Sequence, residues 1–428
     1  MRIDKKGLLG ISPLVFFLAF FLGTALLCGE ISKVSITISF LFAAIYAVAI
    51  TKGLNLPDRV RVFARGAGTG KMMFMIIIFV VAGAFAKSAE AMGCIDATVN
   101  IILSFLPPKL IFVSLFITGC LISMATGSGI GSIVALCPIA IGICQTIDGN
   151  PALFCAIVVC SAMFGDNLSF ISDTTIIATS TQGCKMSDKF KVNLWIALPA
   201  AIVTIIIYYY LGRGAGSVDM EHTAQNIKIL PYILVIVLSV CGCDVLITLL
   251  TGALICGIMG MSMGEFDFIG WTSAMEAGVN GMGSLIIVVI LAAGTMALIS
   301  HNGGLDFIVS ICTKFVKSRK SAEGCIALLT ALICVCTSNN TIAIVSVSSI
   351  VKEISEKYGV DPRKAASLMD TSSCIALELL PYSTHTMVAA TFAGISAASA
   401  IPYMFYAFML ALFLIVSIVF DLPRLRKA

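Results

Sequence analysis

The sequence predicts an all-α polytopic membrane protein of two inverted-topology repeats, each holding a polar-tipped helical hairpin and a discontinuous transmembrane helix. Three observations carry that expectation. The chain is 59% hydrophobic and 12% charged, against a charged fraction of about 25% in soluble domains. Its apolar runs are about 17 to 22 residues long, the length a helix needs to cross a hydrocarbon core roughly 30 Å thick, and no alternating strand pattern of a barrel interrupts them. Finally, a shift of 211 residues sets one half on the other: Pro151 falls on Pro362, Ser161 on Ser372, Ser172 on Ser383, Thr175 on Thr386, Gly83 on Gly294 and Gly183 on Gly394.

Taken in order, the first half predicts spans at 8–28, 34–50, 72–87, 110–147, 151–182 and 192–211. The opening run resembles a secretory leader, but its apolar length of about 20 residues exceeds a signal core of about 7 to 15, so it is read as an uncleaved first span. The run at 110–147 is broken by ATGSGIGS at 125–132, which predicts two helices meeting at a polar tip with Thr126, Ser128 and Ser132. The run at 151–182 is broken by GDNLSFISDTT at 165–175. The second half repeats the series at 229–241, 244–262, 283–300, 324–352, 364–396 and 401–420. Its hairpin breaks at TSNNT, with tip residues Ser338, Asn339, Asn340 and Thr341. Its discontinuous helix breaks at ELLPYSTHT, where Pro381 removes a backbone donor. Amphipathic stretches at 94–106 and 305–316 are expected along the membrane interface. The division is therefore a first repeat at 1–211, an extracytoplasmic linker at 212–228 and a second, inverted repeat at 229–428.

Charge supports the inversion. An odd number of crossings per repeat turns the second upside down, so equivalent loops should exchange their basic residues. The loop at 51–71 carries Lys52, Arg59, Arg61, Arg65 and Lys71, whereas 262–282 has no Lys or Arg and carries Glu265, Asp267 and Glu276. The loop after Gly183 has Lys185, Lys189 and Lys191, and the one after Gly394 has none. Both termini are placed in the cytoplasm.

Paired broken helices related by a pseudo-twofold bring half-helix ends and freed carbonyls together near the bilayer midplane, the arrangement secondary transporters use to hold ions or substrate. Four acids fall in or beside the breaks: Asp166, Asp173, Asp370 and Glu378. An ionised Asp at the centre of a span costs about 2.5–3.5 kcal/mol, so each points first to function. No Lys or Arg lies within a break, which predicts no basic partner and leaves a proton, a metal cation or helix-end donors as counter-charge. Asp173 is also read as a cap of the second half-helix. Asp166 ends the first half-helix, where the dipole disfavours a carboxylate, and is the stronger candidate for titration. Glu378 aligns with Asn167, and Asp370 is deeper in its helix, where a structural, protonated acid is the competing reading. Ser169, Ser172, Thr174, Thr175, Ser383, Thr384 and Thr386 offer neutral oxygens, and His385 a titratable ring. Other chemistry is excluded. The 16 cysteines form no CxxC pair or zinc spacing and read as small apolar filler. GAGTGK at 66–71 lacks the phosphate-loop spacing, and Ser383 beside His385 makes no triad. No enzyme, cofactor or nucleic-acid partner is expected; the lipid bilayer is.

At FGDNLSFISDTT the chain resembles the NhaC-type sodium/proton antiporter family, within the wider ion-transporter superfamily. That family's Gly-Asp followed by Ser-Pro-Leu-Ser-Asp-Thr-Thr is matched by Gly165, Asp166, Ser169, Ser172, Asp173, Thr174 and Thr175, with Phe170 where Pro is usual. MDTSSCIALELLPYSTHTMVAA is similar to its Pro-aromatic-x-Thr segment through Pro381, Tyr382 and Thr384, with Tyr for the usual Trp and the preceding acidic pair reduced to Asp370. The resemblance implies exchange of Na+ for H+ across the cytoplasmic membrane by alternating access, with Na+ held at Asp166 and Asp173, and it leaves a homodimer open. The alternative is an ion-coupled exchanger or symporter of an organic anion or amino acid, because SNNT at 338–341 resembles the hairpin tips of sodium-coupled carboxylate transporters.

Overall fold

Backbone groups inside a bilayer have no water to bond, so a chain this apolar satisfies them within helices. The computed structural model describes residues 5–28, 35–94, 97, 107–169, 172–213, 226–241, 243–314 and 316–423, and among these every regular element is helical. Seven helices are long and apolar enough to cross a membrane, or eight if a pair bent by 105° at Thr384–Ala393 and Ala397–Tyr403 counts as one span.

The chain begins with α1 (Lys5–Cys28) and α2 (Ile36–Ile50), followed by α3 (Leu56–Ala67) and α4 (Gly70–Ala91). The stretch at 51–71, expected as a charged loop, is thus largely helical. Asn55 caps α3 by accepting from the Asp58 amide at 2.9 Å, and Pro57 sits in its first turn. Its image in the second half, α12 (Phe268–Gly281), is also a helix, capped by Asp267. Both were hidden because an amphipathic helix at a membrane surface interrupts the apolar run that marks a span. They pack reciprocally: α12 lies on α4, and α3 on α13 (Gly283–His301). A β-carbon on Gly83 would stand 2.3 Å from the Gly278 carbonyl oxygen, so the α4–α12 crossing requires glycine.

The first hairpin is α5 (Ile111–Thr126) and α6 (Gly129–Thr146), and the first broken helix is α7 (Pro151–Leu168) with α8 (Asp173–Gln182), followed by α9 (Met186–Gly212). The second half adds α10 (Leu230–Val240), α11 (Val245–Met263), α12, α13 and α14 (Gly304–Thr313). It then forms its hairpin, α15 (Arg319–Thr337) and α16 (Asn340–Tyr358), and its broken helix, α17 (Pro362–Glu378) and α18 (Thr384–Ala393), ending in α19 (Phe405–Val419). The amphipathic stretch expected at 305–316 is α14, packed on α1 and α15. Its counterpart at 94–106 and the linker at 212–228 lie mostly outside the described residues.

The two halves interlock around the breaks. Hairpin arm α6 packs on α18, and α16 packs on α8, so each half's hairpin covers the other half's second half-helix. Equivalent positions end these elements in the same way. Gly127 and Ser338, 211 residues apart, both take the left-handed conformation at the hairpin tips, with φ of 63° and 50°. Ser172 and Ser383 both cap a second half-helix, accepting from Thr175 N and Thr386 N at 3.3 and 3.2 Å. Gly183 and Gly394 both end it in the left-handed region.

Candidate functional site

Where the hairpin tips meet the breaks, the structure has an open cavity of about 160 Å³. Asp166 reaches it from the last turn of α7, and Asp173 and Thr174 from the first turn of α8. The second half supplies Thr384 and His385 at the start of α18, and the tips supply Ser128 from one side and Ser338, Asn339, Asn340 and Thr341 from the other. Phe74, Met75 and Ile78 of α4 form an apolar wall. The cavity thus gathers residues that are up to 311 positions apart in sequence, from Phe74 to His385, and its polar lining is oxygen-rich. No Lys or Arg lines it among the described residues.

Asp166 is 6% exposed, and its Oδ2 accepts from Asn340 Nδ2 at 2.9 Å. Its backbone carbonyl accepts from Ser172 Oγ at 2.9 Å, which ties the end of α7 to the start of α8 across the break. Close packing behind it depends on Gly165, where a β-carbon would meet Ser123 Cβ at 2.2 Å and the Met124 amide at 2.5 Å. Asp173 is exposed. It is the first residue of α8 and not its cap: Ser172 caps, because its shorter side chain sits in the extended conformation one residue earlier. His385 Nδ1 has no hydrogen-bond partner among the described residues, and its Nε2 faces the start of α6, 2.9 Å from where a β-carbon on Gly129 would stand.

Several expected site residues lie behind the cavity instead. Asn167 turns away from it and donates to Asp370 Oδ2 at 3.1 Å and Thr371 Oγ1 at 3.2 Å. Asp370, fully buried, pairs with Lys189 Nζ at 2.5 Å. The same ammonium donates to the Asn167 carbonyl at 2.8 Å and to Thr175 Oγ1 at 2.7 Å. Asn193 Nδ2 joins the group at 2.9 Å from the Asn167 carbonyl and 3.1 Å from Asp370 Oδ2. The expectation of no basic partner is therefore overturned. Lys189 lies outside the break in sequence, but α9 starts at Met186, earlier than the expected span at 192–211, and its first turn carries the side chain inward. A buried carboxylate needs such a charge, since an unpaired one costs several kcal/mol. Asp370 thus stands behind the cavity in contact with a lysine, where a protonated structural acid was the competing expectation.

The remaining expectations separate in the same way. Ser169 Oγ donates to the Met124 carbonyl at 3.0 Å, and Ser132 Oγ to the Ser128 carbonyl at 2.8 Å, so both serve backbone geometry. Ser383 and Thr386 bond each other at 3.0 Å. Glu378 is fully buried away from the cavity, beside Cys160. The side chain of Thr126 lies outside the described residues. Lys189 and Asn193 were missed, and their spacing of four on one helix face is the signal that could have found them.

A second, larger cavity of about 570 Å³ lies further along α4, α6 and α18, lined by Gly83, Lys87, Pro138 and Gly394 among others. The two cavities thus share α4, α6 and α18 as walls.

Comparison with known proteins bears on this arrangement. A protein-family model described as the Na+/H+ antiporter family matches residues 3–213 and 222–422. The chain is 20% identical over 441 residues to the Na(+)/H(+) antiporter NhaC of Alkalihalophilus pseudofirmus, covering 95% of this chain and 94% of that one. It is 21% identical over 411 residues to the malate-2H(+)/Na(+)-lactate antiporter of Bacillus subtilis, covering 88% and 86%. A solved structure, the Alcanivorax borkumensis YdaH transporter, aligns at a TM-score of 0.44 and 14% identity over 90% of this chain and 99% of that one.

Proposed function

Because the chain belongs to the Na+/H+ antiporter family, we propose that it exchanges Na+ for H+ across the cytoplasmic membrane, using the cavity at the crossed breaks as the shared site. The observation that carries this reading is Asp166, a buried carboxylate facing an oxygen-lined cavity that contains no cationic side chain of its own among the described residues. A carboxylate binds a proton or a cation, not both at once, so competition at Asp166 couples the two flows. Asp173, Thr174, Thr384, Asn340 and the tip backbone supply further hard oxygen donors of the kind Na+ prefers. The direct contacts of Lys189 go to Asp370, Asn167 and Thr175, not to Asp166.

Two inverted halves, 1–211 and 229–428, with both termini in the cytoplasm, supply the two-sided symmetry that alternating access needs. The reciprocal packing of α6 on α18 and α16 on α8 supports that reading. The gap between the two matched stretches, 214–221, falls inside the proposed linker.

The test uses everted membrane vesicles energised to be acid inside. Addition of Na+ should dissipate the proton gradient, and Asp166→Asn should abolish the response. A second reading, exchange of an organic anion, draws support from the cavity volume, which exceeds a bare ion, and from the named activity of the Bacillus subtilis relative. Two acids and no Lys or Arg in the lining disfavour an anion. Vesicles that ignore Na+ yet move lactate or malate would select that reading over cation exchange.

A further inference from the structure

The 211-residue shift that pairs the halves also pairs their buried networks, and the two are chemically unequal. It carries Asn167 to Glu378, Lys189 to Ala400, Asn193 to Met404 and Asp370 back to Val159. The first network has a carboxylate and its own ammonium. Its image has a carboxyl group and, where the ammonium and the amide stand, an alanine and a methionine, both fully buried. The correspondence is physical as well as formal: Met404 Sδ lies 3.7 Å from Cys160 Sγ, and Cys160 stands beside Glu378, much as Asn193 stands beside Asn167.

Glu378 is 0% exposed, and neither carboxyl oxygen has a hydrogen-bond partner among the described residues. The hydroxyls of Tyr208 and Tyr406, also fully buried, have none either. All three lie in one cluster. Phe116 packs 5.4 Å from the Tyr208 ring and 6.0 Å from the Tyr406 ring, and Glu378 is within electrostatic reach of both tyrosines. The titratable groups facing Glu378 are Cys120 from α5, Cys160 from α7, Tyr208 from α9 and Tyr406 from α19, with Cys374 on its own helix. None carries positive charge. Glu378 is also the last residue of α17, where the helix dipole adds negative potential.

A lone carboxylate in such a place would cost many kcal/mol, so a positive charge must reside on it. Besides two tyrosine hydroxyls the neighbours are thiols and aromatic carbon, a poor shell for a hard cation such as Na+, which leaves a proton. We propose that Glu378 is a second proton site of the transporter, closed off from the Asp166 cavity, which releases its proton and regains it once per cycle. On release the O–H bond of the acid breaks, the proton passes to water admitted as the protein changes conformation, and the carboxylate keeps the electron pair. The tyrosine hydroxyls, which have no acceptor among the described residues, are then available to donate to it, and the Cys160 thiol can turn to it from Met404 Sδ. The site would therefore carry protons that do not compete directly with Na+.

The inference rests on the exchange reading only for its transport assay. In proteoliposomes, Glu378→Gln should retain exchange of radioactive Na+ for unlabelled Na+, which needs the Asp166 cavity alone, while Na+-driven proton movement falls to background. Glu378→Asp, which keeps an acid, should restore proton movement with a shifted pH profile. Infrared spectra should contain the carbonyl stretch of a protonated acid in the unaltered protein, shifted by Glu378→Asp and missing from Glu378→Gln. Wild-type proton coupling in Glu378→Gln, or an infrared band unmoved by either variant, would overturn the proposal. If the unaltered protein moves no Na+ at all, the exchange reading fails, and the infrared band still decides whether Glu378 holds a proton.

Discussion

The two broken helices start alike and end differently. Both open on an N-cap followed by proline, Asn150 with Pro151 and Asp361 with Pro362, and both resume after a capping serine. At the break itself the first half places Asp166 in the cavity and knits Asn167 to Lys189, whereas the second half buries Glu378 among thiols and aromatic rings. The equivalent of Asp166 is Leu377. The two halves thus share a backbone solution, because caps, left-handed tips and glycine contacts are dictated by geometry, while their charges differ. One break is backed by a buried lysine, and among the described residues the other is not.

The largest effect that could break this contrast comes from the cation. Replacing Lys189 leaves Asp370 buried without its partner, a loss of about 3–5 kcal/mol. Lys189→Met should therefore lower the thermal unfolding temperature of the detergent-solubilised protein severely, and Lys189→Met with Asp370→Asn should recover most of it. A single variant as stable as the unaltered chain would show that the first break is not held by its ammonium. Next in size is Asn340, whose image in the first hairpin is Gly129. Its amide donates to Asp166, and a hydrogen bond to a charged group is worth about 1.5–3 kcal/mol. Loss of that donor favours the protonated acid over the Na+-bound carboxylate. Asn340→Ala should raise the Na+ concentration for half-maximal exchange by roughly tenfold or more, with little change in unfolding temperature.

These residues also show what the chain disclosed in one dimension. Broken helices and polar tips were legible, since membrane spans announce themselves by apolar length and breaks by polar residues within it. GDNLSFISDTT led to a cavity because Asp166, Asp173 and Thr174 line it, and the tip residues Ser128 and Asn340 converged there as expected. Lys189 could be read only from its spacing of four with Asn193. In sequence it is one of several lysines after Gly183 and serves the charge rule for a loop; only the early start of α9 turns it inward. Glu378 was found as an acid in the right register but assigned to the cavity, because alignment with Asn167 says which residues are equivalent and not which way either faces. Asn167 itself faces away from the cavity. The surface helices α3 and α12 escaped for a third reason: a helix lying along the membrane has no apolar run of spanning length to mark it.

The smallest effect tests the caps that begin the two broken helices. Asn150 accepts from the Ala152 amide at 3.0 Å, and Asp361 from the Arg363 amide at 2.9 Å. Only the second is ionised. Hydrogen bonds from the Arg363 side chain, at 2.9 and 2.7 Å, together with the Arg363 backbone amide, hold the Asp361 carboxyl below the ordinary carboxylate range against the opposing effect of its partial burial. A carboxyl depressed on folding adds stability above its unfolded value and loses it as pH falls through the folded one. Asp361→Asn makes the second cap like the first, so at neutral pH it should cost from a few tenths to about 1 kcal/mol, the size of a cap exchange and an exposed ion pair. That difference should vanish as pH falls below the ordinary carboxylate range, where the unaltered chain loses the same contribution by protonation. Asn150→Asp, the reciprocal change, creates a pH-dependent cap without an arginine two residues on, since Leu153 stands where Arg363's neighbour Lys364 does and Ala152 where Arg363 does. Its effect on unfolding temperature at neutral pH should be smaller than that of Asp361→Asn; an equal effect there would mean that Arg363 adds nothing to the cap.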